Sequence, residues 1–327
     1  MKKSAALLTA LLLLLGGCAD TKQARLSGTG FYFDTVVTVT LYGAPQGLLE
    51  EIWQECARYE RMLSRTLEGS DVDRINRANG QTVNVDAETW RILQRAKEIS
   101  SLTGGAFSIT IAPLSSMWDF TGGTNRIPAD EERLAALPLV DDGRIQLGEG
   151  NTVTLPVGMS VDLGGIAKGY IADRIAEKIC GRVSGAVLNF GGNVYVIGRK
   201  PDGSAFTVGV ADPSAPESAL AVIDAADVSV VTSGIYQRRF TAEGKTYHHI
   251  LDPGTGLPAD TDLASATVAA QSSMTADALA TACIVLGKDG ALRLLEENGF
   301  DGLLITREGE ILTTEGFSQR YSLKTNR

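Results

Sequence analysis

Cysteine is scarce in this chain of 327 residues, with four in all, and none stands in a C-x-x-C pair. That absence argues against a zinc ribbon or a dithiol redox centre. Cys56, Cys180 and Cys283 each fall within an apolar helical pattern, so buried free thiols are expected. Basic residues are outnumbered, 30 against 39 acidic, giving a formal charge of −9. Nucleic acid is therefore not expected as a partner, because neutralising phosphates needs clustered Lys and Arg. Low-complexity tracts and internal repeats are absent, and after the first 17 residues no segment is apolar enough to span a bilayer. Neither a Walker A loop nor a Rossmann G-x-G-x-x-G occurs. The whole chain, 44% apolar with 6% aromatics, has the composition of a globular protein, and beyond its first 17 residues it has room for one large domain or two interlocked ones.

The N-terminus is a different material. Lys2 and Lys3 precede an apolar stretch from Ala5 to Leu15, too short for a membrane-spanning helix, which needs about 20 residues. A charged start, a short apolar run and small residues at its end predict an export signal over residues 1–17. The run closes on Leu15-Gly16-Gly17-Cys18, which resembles the lipobox of bacterial lipoproteins. That resemblance implies cleavage before Cys18 and a diacylglycerol on its thiol, anchoring the chain to a bacterial membrane on the extracytoplasmic side. An ordinary signal peptide with an incidental Cys18 is the alternative. Residues 18–27 then read as the lipidated Cys and a short polar tether, and 28–327 as the working domain. Without its leader the chain would carry 28 basic against 39 acidic residues, a formal −11.

Periodicity predicts a strand at Thr35–Tyr42 and helices at Leu48–Leu63, Trp90–Leu102, Ala129–Leu137 and Ile166–Ile179. A hairpin over Arg144–Leu155 turns at Gly148–Asn151. Short β-rich runs follow at Ala186–Phe190, Val194–Ile197, Thr207–Val210, Leu220–Asp224 and Val228–Thr232. Met274–Leu286 and Ala291–Asn298 read as helices, and Gly302–Thr306 as a strand. Antiparallel-looking strands between helices indicate an α+β fold, not a doubly wound parallel sheet.

Four features point to chemistry. Gly104-Gly105, Gly164-Gly165 and Gly191-Gly192, with Asp252-Pro253-Gly254-Thr255-Gly256, suggest loops that converge on a phosphate-bearing ligand. Val161 to Gly169 places Asp162, a glycine pair, a helix start and Lys168 together, suiting an anion at a helix N-terminus. The same residues could equally be an Asp cap followed by a solvated Lys. Asp277 and Thr281 are i and i+4 on one helix face, where a carboxylate and a hydroxyl can hold part of a Mg²⁺ shell. A Thr back-bonded to its own helix is the plainer explanation. The two histidines, His248 and His249, are adjacent and would face opposite ways in a strand, one towards a site and one towards solvent. A general base titrating near neutrality is thus available, as are two plain surface residues.

Seven segments in this order resemble the ApbE-type FAD:protein FMN transferases. They are Leu63-Ser64 with Asp73-Arg74-Ile75-Asn76, Gly104 to Ile109, Val161 to Gly169, Asn189-Phe190-Gly191-Gly192-Asn193, Thr232-Ser233-Gly234, His249 to Gly256, and Met274 to Thr281. They span most of the chain from Gly28 to Gly287. The resemblance implies an α+β fold with a T-fold-like portion, in which mixed or antiparallel sheets pack against helices. It implies FAD as substrate, with Mg²⁺ at its pyrophosphate, and transfer of FMN through a phosphoester to a Thr or Ser of an acceptor protein, releasing AMP. Metal ligands would be Asp277, Thr281 and the carbonyl of Gly165. Flavin contacts would include Asp162, Lys168, the backbone of Ala106, Phe107 and Ser108, and Ile250. His249 would deprotonate or position the acceptor hydroxyl, and Lys168 would stabilise developing charge. Acceptors would be flavin-bearing subunits of membrane redox complexes or extracytoplasmic reductases. The chain departs from the family at Ser108, where Asp is frequent, at Thr66, where an aromatic is frequent, and at Ser27, where Met precedes the Gly-Thr. A Mg²⁺-dependent FAD pyrophosphatase on the same site, and an FAD-binding lipoprotein without chemistry, are the competing readings.

Overall fold

A computed structural model describes residues 25–120 and 122–325. Cys18 and the expected leader lie outside the described residues. The chain opens with the hairpin β1 (Arg25–Tyr32) and β2 (Thr35–Tyr42). Arg25–Ser27, at the end of the expected tether, are already paired here, Ser27 opposite Thr40. In β2, Val37, Val39 and Leu41 alternate inward and are fully buried, as period-2 patterning requires. The helix α1 (Leu48–Leu63) lays Ile52, Cys56 and Tyr59 on that face. After α2 (Asp71–Arg77) and β3 (Thr82–Asn84) comes α3 (Ala87–Leu102). It begins three residues earlier than periodicity predicts because Asp86 caps it, accepting from the amide of Glu88 at 2.8 Å.

The short helices α4 (Ala112–Ser115) and α5 (Asp130–Ala136) precede the predicted hairpin, β4 (Gln146–Gly148) and β5 (Thr152–Thr154). Then follow α6 (Ala167–Ile179), β6 (Gly185–Phe190), β7 (Asn193–Gly198), β8 (Phe206–Asp212), β9 (Ala215–Ala225) and β10 (Val228–Gly234). A separate two-stranded hairpin, β11 (Arg239–Ala242) and β12 (Lys245–His248), leads to β13 (Leu263–Ala270). The chain closes with α7 (Ser273–Glu297), β14 (Asp301–Thr306), β15 (Ile311–Thr313), α8 (Glu315–Arg320) and β16 (Leu323–Thr325).

The fold is α+β. Eight strands form an antiparallel sheet in the order β1-β2-β6-β7-β10-β13-β14-β15. On one face α1, α3, α6 and α7 close over the main core. On the other face the small sheet β16-β9-β8, with Phe317 of α8, packs Val208 and Ile223 against Val196, Val230 and Leu303. The two helices expected at Met274–Leu286 and Ala291–Asn298 are continuous but broken at Gly287, whose φ of 69° only glycine adopts readily. A satellite aromatic cluster, Trp118, Phe120, Phe240 and Tyr247, holds α4 and α5 against the β11–β12 hairpin.

Two expectations need correction. Cys56 and Cys283 are buried free thiols, each pushed up to about 12 by burial, whereas Cys180 is exposed because α6 ends one residue before it. His248 does not meet solvent. It is 4% exposed and its Nε2 lies 3.2 Å from the carbonyl of Ala259. Among the described residues no helix is long and apolar enough to cross a membrane.

Candidate active site

The site forms where the start of α6 meets the first two turns of α7. Gly169 makes the meeting possible: a Cβ there would fall 2.3 Å from the carbonyl oxygen of Ser273. With that space free, the amide of Gly169 donates to Oδ2 of Asp277 at 3.1 Å. Asp173, one turn further along α6, caps α7 by accepting from the amides of Ser273 at 2.7 Å and Met274 at 3.0 Å. Burial pushes the Asp173 carboxyl up despite those donors. The two helices are thus tied by backbone-to-carboxylate bonds, and Asp277 is fixed by elements far apart in sequence.

Asp277 is 3% exposed, and Lys168 Nζ stands 3.6 Å from its Oδ2 while donating to the carbonyl of Gly164 at 2.8 Å. Lys168 is therefore tethered beside Asp277 instead of extending freely into solvent. One turn on, Thr281 Oγ1 donates back to the carbonyl of Asp277 at 3.2 Å and lies 3.4 Å from Ser233 Oγ. The back-bond expected of a helical Thr is present. It turns the hydroxyl proton into the helix and leaves the lone pairs outward. Gly165 approaches from the other side: a Cβ on it would be 3.7 Å from Thr281 Oγ1 and 3.2 Å from the Phe107 ring. Asp277, Thr281, Gly165 and Lys168 therefore converge.

No three His, Cys, Asp or Glu side chains among the described residues form a metal cluster. The donors available here are one carboxylate, one hydroxyl and one carbonyl, all hard oxygens. That set fits Mg²⁺, which keeps few protein ligands and fills its shell with water and phosphate oxygens. No hydrogen bond among the described residues engages Asp277 Oδ1, so this buried carboxylate has an oxygen to give.

Asp162 lies beside the Gly164–Gly165 pair. Its Oδ1 accepts from the amide of Gly164 at 2.9 Å, and its Oδ2 pairs with Arg65 at 3.2 Å, with Ser115 at 3.5 Å. Phe107 is buried against Gly165. Ser108 is turned away: its hydroxyl donates to Asp142 Oδ1 at 2.6 Å, so only its backbone is free for a ligand. Asp142, itself 3% exposed, also accepts from the amides of Ile109 and Thr110 and so rigidifies the whole segment. Ile250 is 5% exposed in the main core, and its carbonyl accepts from Ala259, leaving its backbone amide as the polar group available there.

His249 follows β12 directly, its amide bonded to the carbonyl of Arg238. Burial, aided by the charges of Arg238, His248 and Lys168, pushes its imidazole down to about 3. It is neutral near pH 7, and its Nδ1 is shut away without a partner.

Arg65, Ser233, Asp142, Asp173 and Gly169 are site-forming residues that motif reading does not single out. Gly169 and Ser233 stand inside quoted segments. Asp142 and Asp173 act on residues more than 30 positions away, and nothing in their local sequence marks them.

The ApbE family profile matches residues 33–304. The chain belongs to the ApbE family. Among ApbE relatives, the FAD:protein FMN transferase of Treponema pallidum is 31% identical, over 94% of this chain and 91% of that protein. That of Klebsiella pneumoniae is 33% identical, over 88% and 90%. The crystal structure of the ApbE protein of Thermotoga maritima superposes with a TM-score of 0.84 at 33% identity, covering 90% of this chain and 99% of that one. The apo flavinyl transferase ApbE of Pseudomonas stutzeri gives 0.81 at 28% identity, covering 91% and 96%.

Proposed function

We propose that this chain is an FAD:protein FMN transferase that moves FMN from FAD to a Thr or Ser hydroxyl of an acceptor protein, forming a phosphoester and releasing AMP. The observation that carries the reading is the buried Asp277 carboxylate held by the Gly169 amide and Lys168, with Thr281 and Gly165 beside it. The names of the relatives agree with it. Asp277, Thr281 and the Gly165 carbonyl would hold Mg²⁺, which when bound supplies Lewis-acid stabilisation to the pyrophosphate oxygens.

In the transfer step the acceptor oxygen forms a bond to the FMN-side phosphorus, and the bond from that phosphorus to the AMP oxygen breaks. The hydroxyl proton passes to His249. With Nδ1 shut away, Nε2 is the nitrogen open to a substrate hydroxyl. Burial keeps the imidazole neutral at physiological pH, so a ring nitrogen keeps its lone pair to orient the hydroxyl and take its proton as the transition state forms. Lys168 places a fixed positive charge where negative charge grows. Phe107 and the Gly165 backbone form an apolar wall, and Asp162, oriented by Arg65, offers a carboxylate to hydrogen-bond donors of the flavin nucleotide. We also propose that Cys18 carries a lipid and confines the enzyme to the extracytoplasmic side, near membrane-bound acceptors.

Incubation with FAD, Mg²⁺ and a candidate acceptor tests the reaction. Acceptor fluorescence that survives denaturation supports transfer, free FMN with AMP indicates hydrolysis instead, and intact FAD indicates binding alone.

A further inference from the structure

The β11–β12 hairpin stands apart from both larger sheets, and among the described residues neither of its outer edges pairs with another strand. Its two strands are in simple antiparallel register, Arg239 opposite His248 and Ala242 opposite Lys245. The ladder runs on by one rung, because the amide of His249 bonds to the carbonyl of Arg238. A chain laid along this hairpin therefore passes directly to the proposed acceptor base. The face carrying Phe240 and Tyr247 is packed on Trp118 and Phe120, which makes the hairpin a stiff platform.

Charge distinguishes it. The whole chain is formally −9, yet the segment 236–249 carries Arg238, Arg239 and Lys245 against Glu243 alone. All three cations are exposed, and none has a carboxylate partner among the described residues. Lys245 lies 5.5 Å over the Tyr247 ring, and Arg238 bonds to the backbone carbonyl of Asp34 at 3.1 Å. Alternation puts Lys245 on the face of Phe240 and Tyr247 and Arg239 on the face of His248, so cations flank the hairpin on both sides and an acidic strand laid along an edge would meet both. Free strand edges favour an extended partner.

We propose that the β11–β12 hairpin docks an extended, acidic segment of the acceptor protein, with its acidic side chains within about four residues of the hydroxyl that receives FMN. Four residues is the strand distance from Lys245 to His249, about 13 Å. The proposal rests on the transferase reading. An anionic membrane could also attract this patch, but a bilayer pressed on the hairpin would cover His249 and close the site to the acceptor.

The test uses the full chain and two Thr-containing peptides, identical except that Asp and Glu flank the Thr in one and Lys in the other. Wild-type protein should flavinylate the acidic peptide with a KM at least tenfold lower than the basic one. Raising NaCl should narrow the gap, since exposed charges are screened beyond about 8 Å at physiological ionic strength. The double variant Arg239→Glu/Lys245→Glu should abolish or invert the preference while FAD affinity, read by flavin fluorescence, stays unchanged. Equal KM for both peptides, or an unchanged preference in the double variant, overturns the proposal. If neither peptide is flavinylated by wild-type protein, the transferase reading itself fails. Sedimentation with phosphatidylserine vesicles that depends on Arg239 and Lys245, without peptide preference, assigns the patch to a membrane and also overturns it.

Discussion

The amide of Gly169 on α6 donates to Oδ2 of Asp277 on α7 at 3.1 Å, so the backbone of one helix fixes the carboxylate of another. The bond exists only because no Cβ separates the helices at that point. Gly169→Ala should drive a methyl into the Ser273 carbonyl, backbone that cannot swing aside. We expect a stability loss of about 1–3 kcal/mol, typical of overpacking, with a larger proportional loss of transfer rate. Thermal unfolding alongside steady-state kinetics checks this. An unchanged melting temperature with normal activity would mean that the helices do not pack as described.

Asp277→Ala removes the proposed metal donor and leaves Lys168 without its carboxylate partner. Loss of several kcal/mol of charge stabilisation corresponds to a fall in transfer rate of about 10³-fold, at saturating FAD and Mg²⁺. Raising Mg²⁺ should not restore it. Transfer at the normal rate would refute the assignment of Asp277 as ligand.

The buried His248 makes folding sensitive to acid. Burial, with the charge of Arg307, pushes its imidazole from 6.5 down to about 4, against the stabilising carbonyl of Ala259. Above pH 6.5 both folded and unfolded chains hold it neutral, and it contributes no pH dependence. Between 6.5 and 4 the unfolded chain binds the proton and the folded one does not, so stability falls as pH falls. The full difference is about 3 kcal/mol. Denaturant titrations from pH 7 to pH 4 should show His248→Gln losing less stability than the wild type, because Gln can still donate to Ala259 but does not titrate there. Identical slopes for the two proteins would contradict this.

Cys18→Ala should leave transfer by the purified protein intact and reduce acceptor flavinylation only in cells. The measurement is labelled acceptor per enzyme in matched cultures. Equal labelling at equal expression would show that a tether plays no part.

Much of the fold was legible because patterning and packing agreed. The TVVTVTLY run of β2 alternates as a strand with one buried face must, and Gly287 interrupts α7 between the two predicted helical stretches. The strand β13 was not legible. Its sequence LASATVAA is small and weakly β-forming, and almost every residue is buried because it lies mid-sheet, covered on both faces. β1 was hidden for a related reason: Gly28 and Gly30 interrupt any strand pattern in RLSGTGFY and the tether was drawn through its first three residues, yet Gly28 is where Leu49 of α1 packs. In the site, Asp277 with Thr281 and Gly165 with Lys168 were visible as local spacing. Their union came only from the family resemblance, since it depends on Gly169 and Asp173 bringing two helices about 100 residues apart into register. The histidines mislead for want of tertiary context, because strand alternation sends one of the pair to solvent, whereas His248 is buried with its Nε2 against the carbonyl of Ala259.

The most direct measurement of the central claim is a molar balance. The enzyme is incubated with FAD, Mg²⁺ and an acceptor protein, and AMP released is compared with flavin retained on the denatured acceptor. The account predicts equal amounts of the two, with both falling by about 10³-fold in rate for Asp277→Ala. AMP matched by free FMN and an unlabelled acceptor would contradict it.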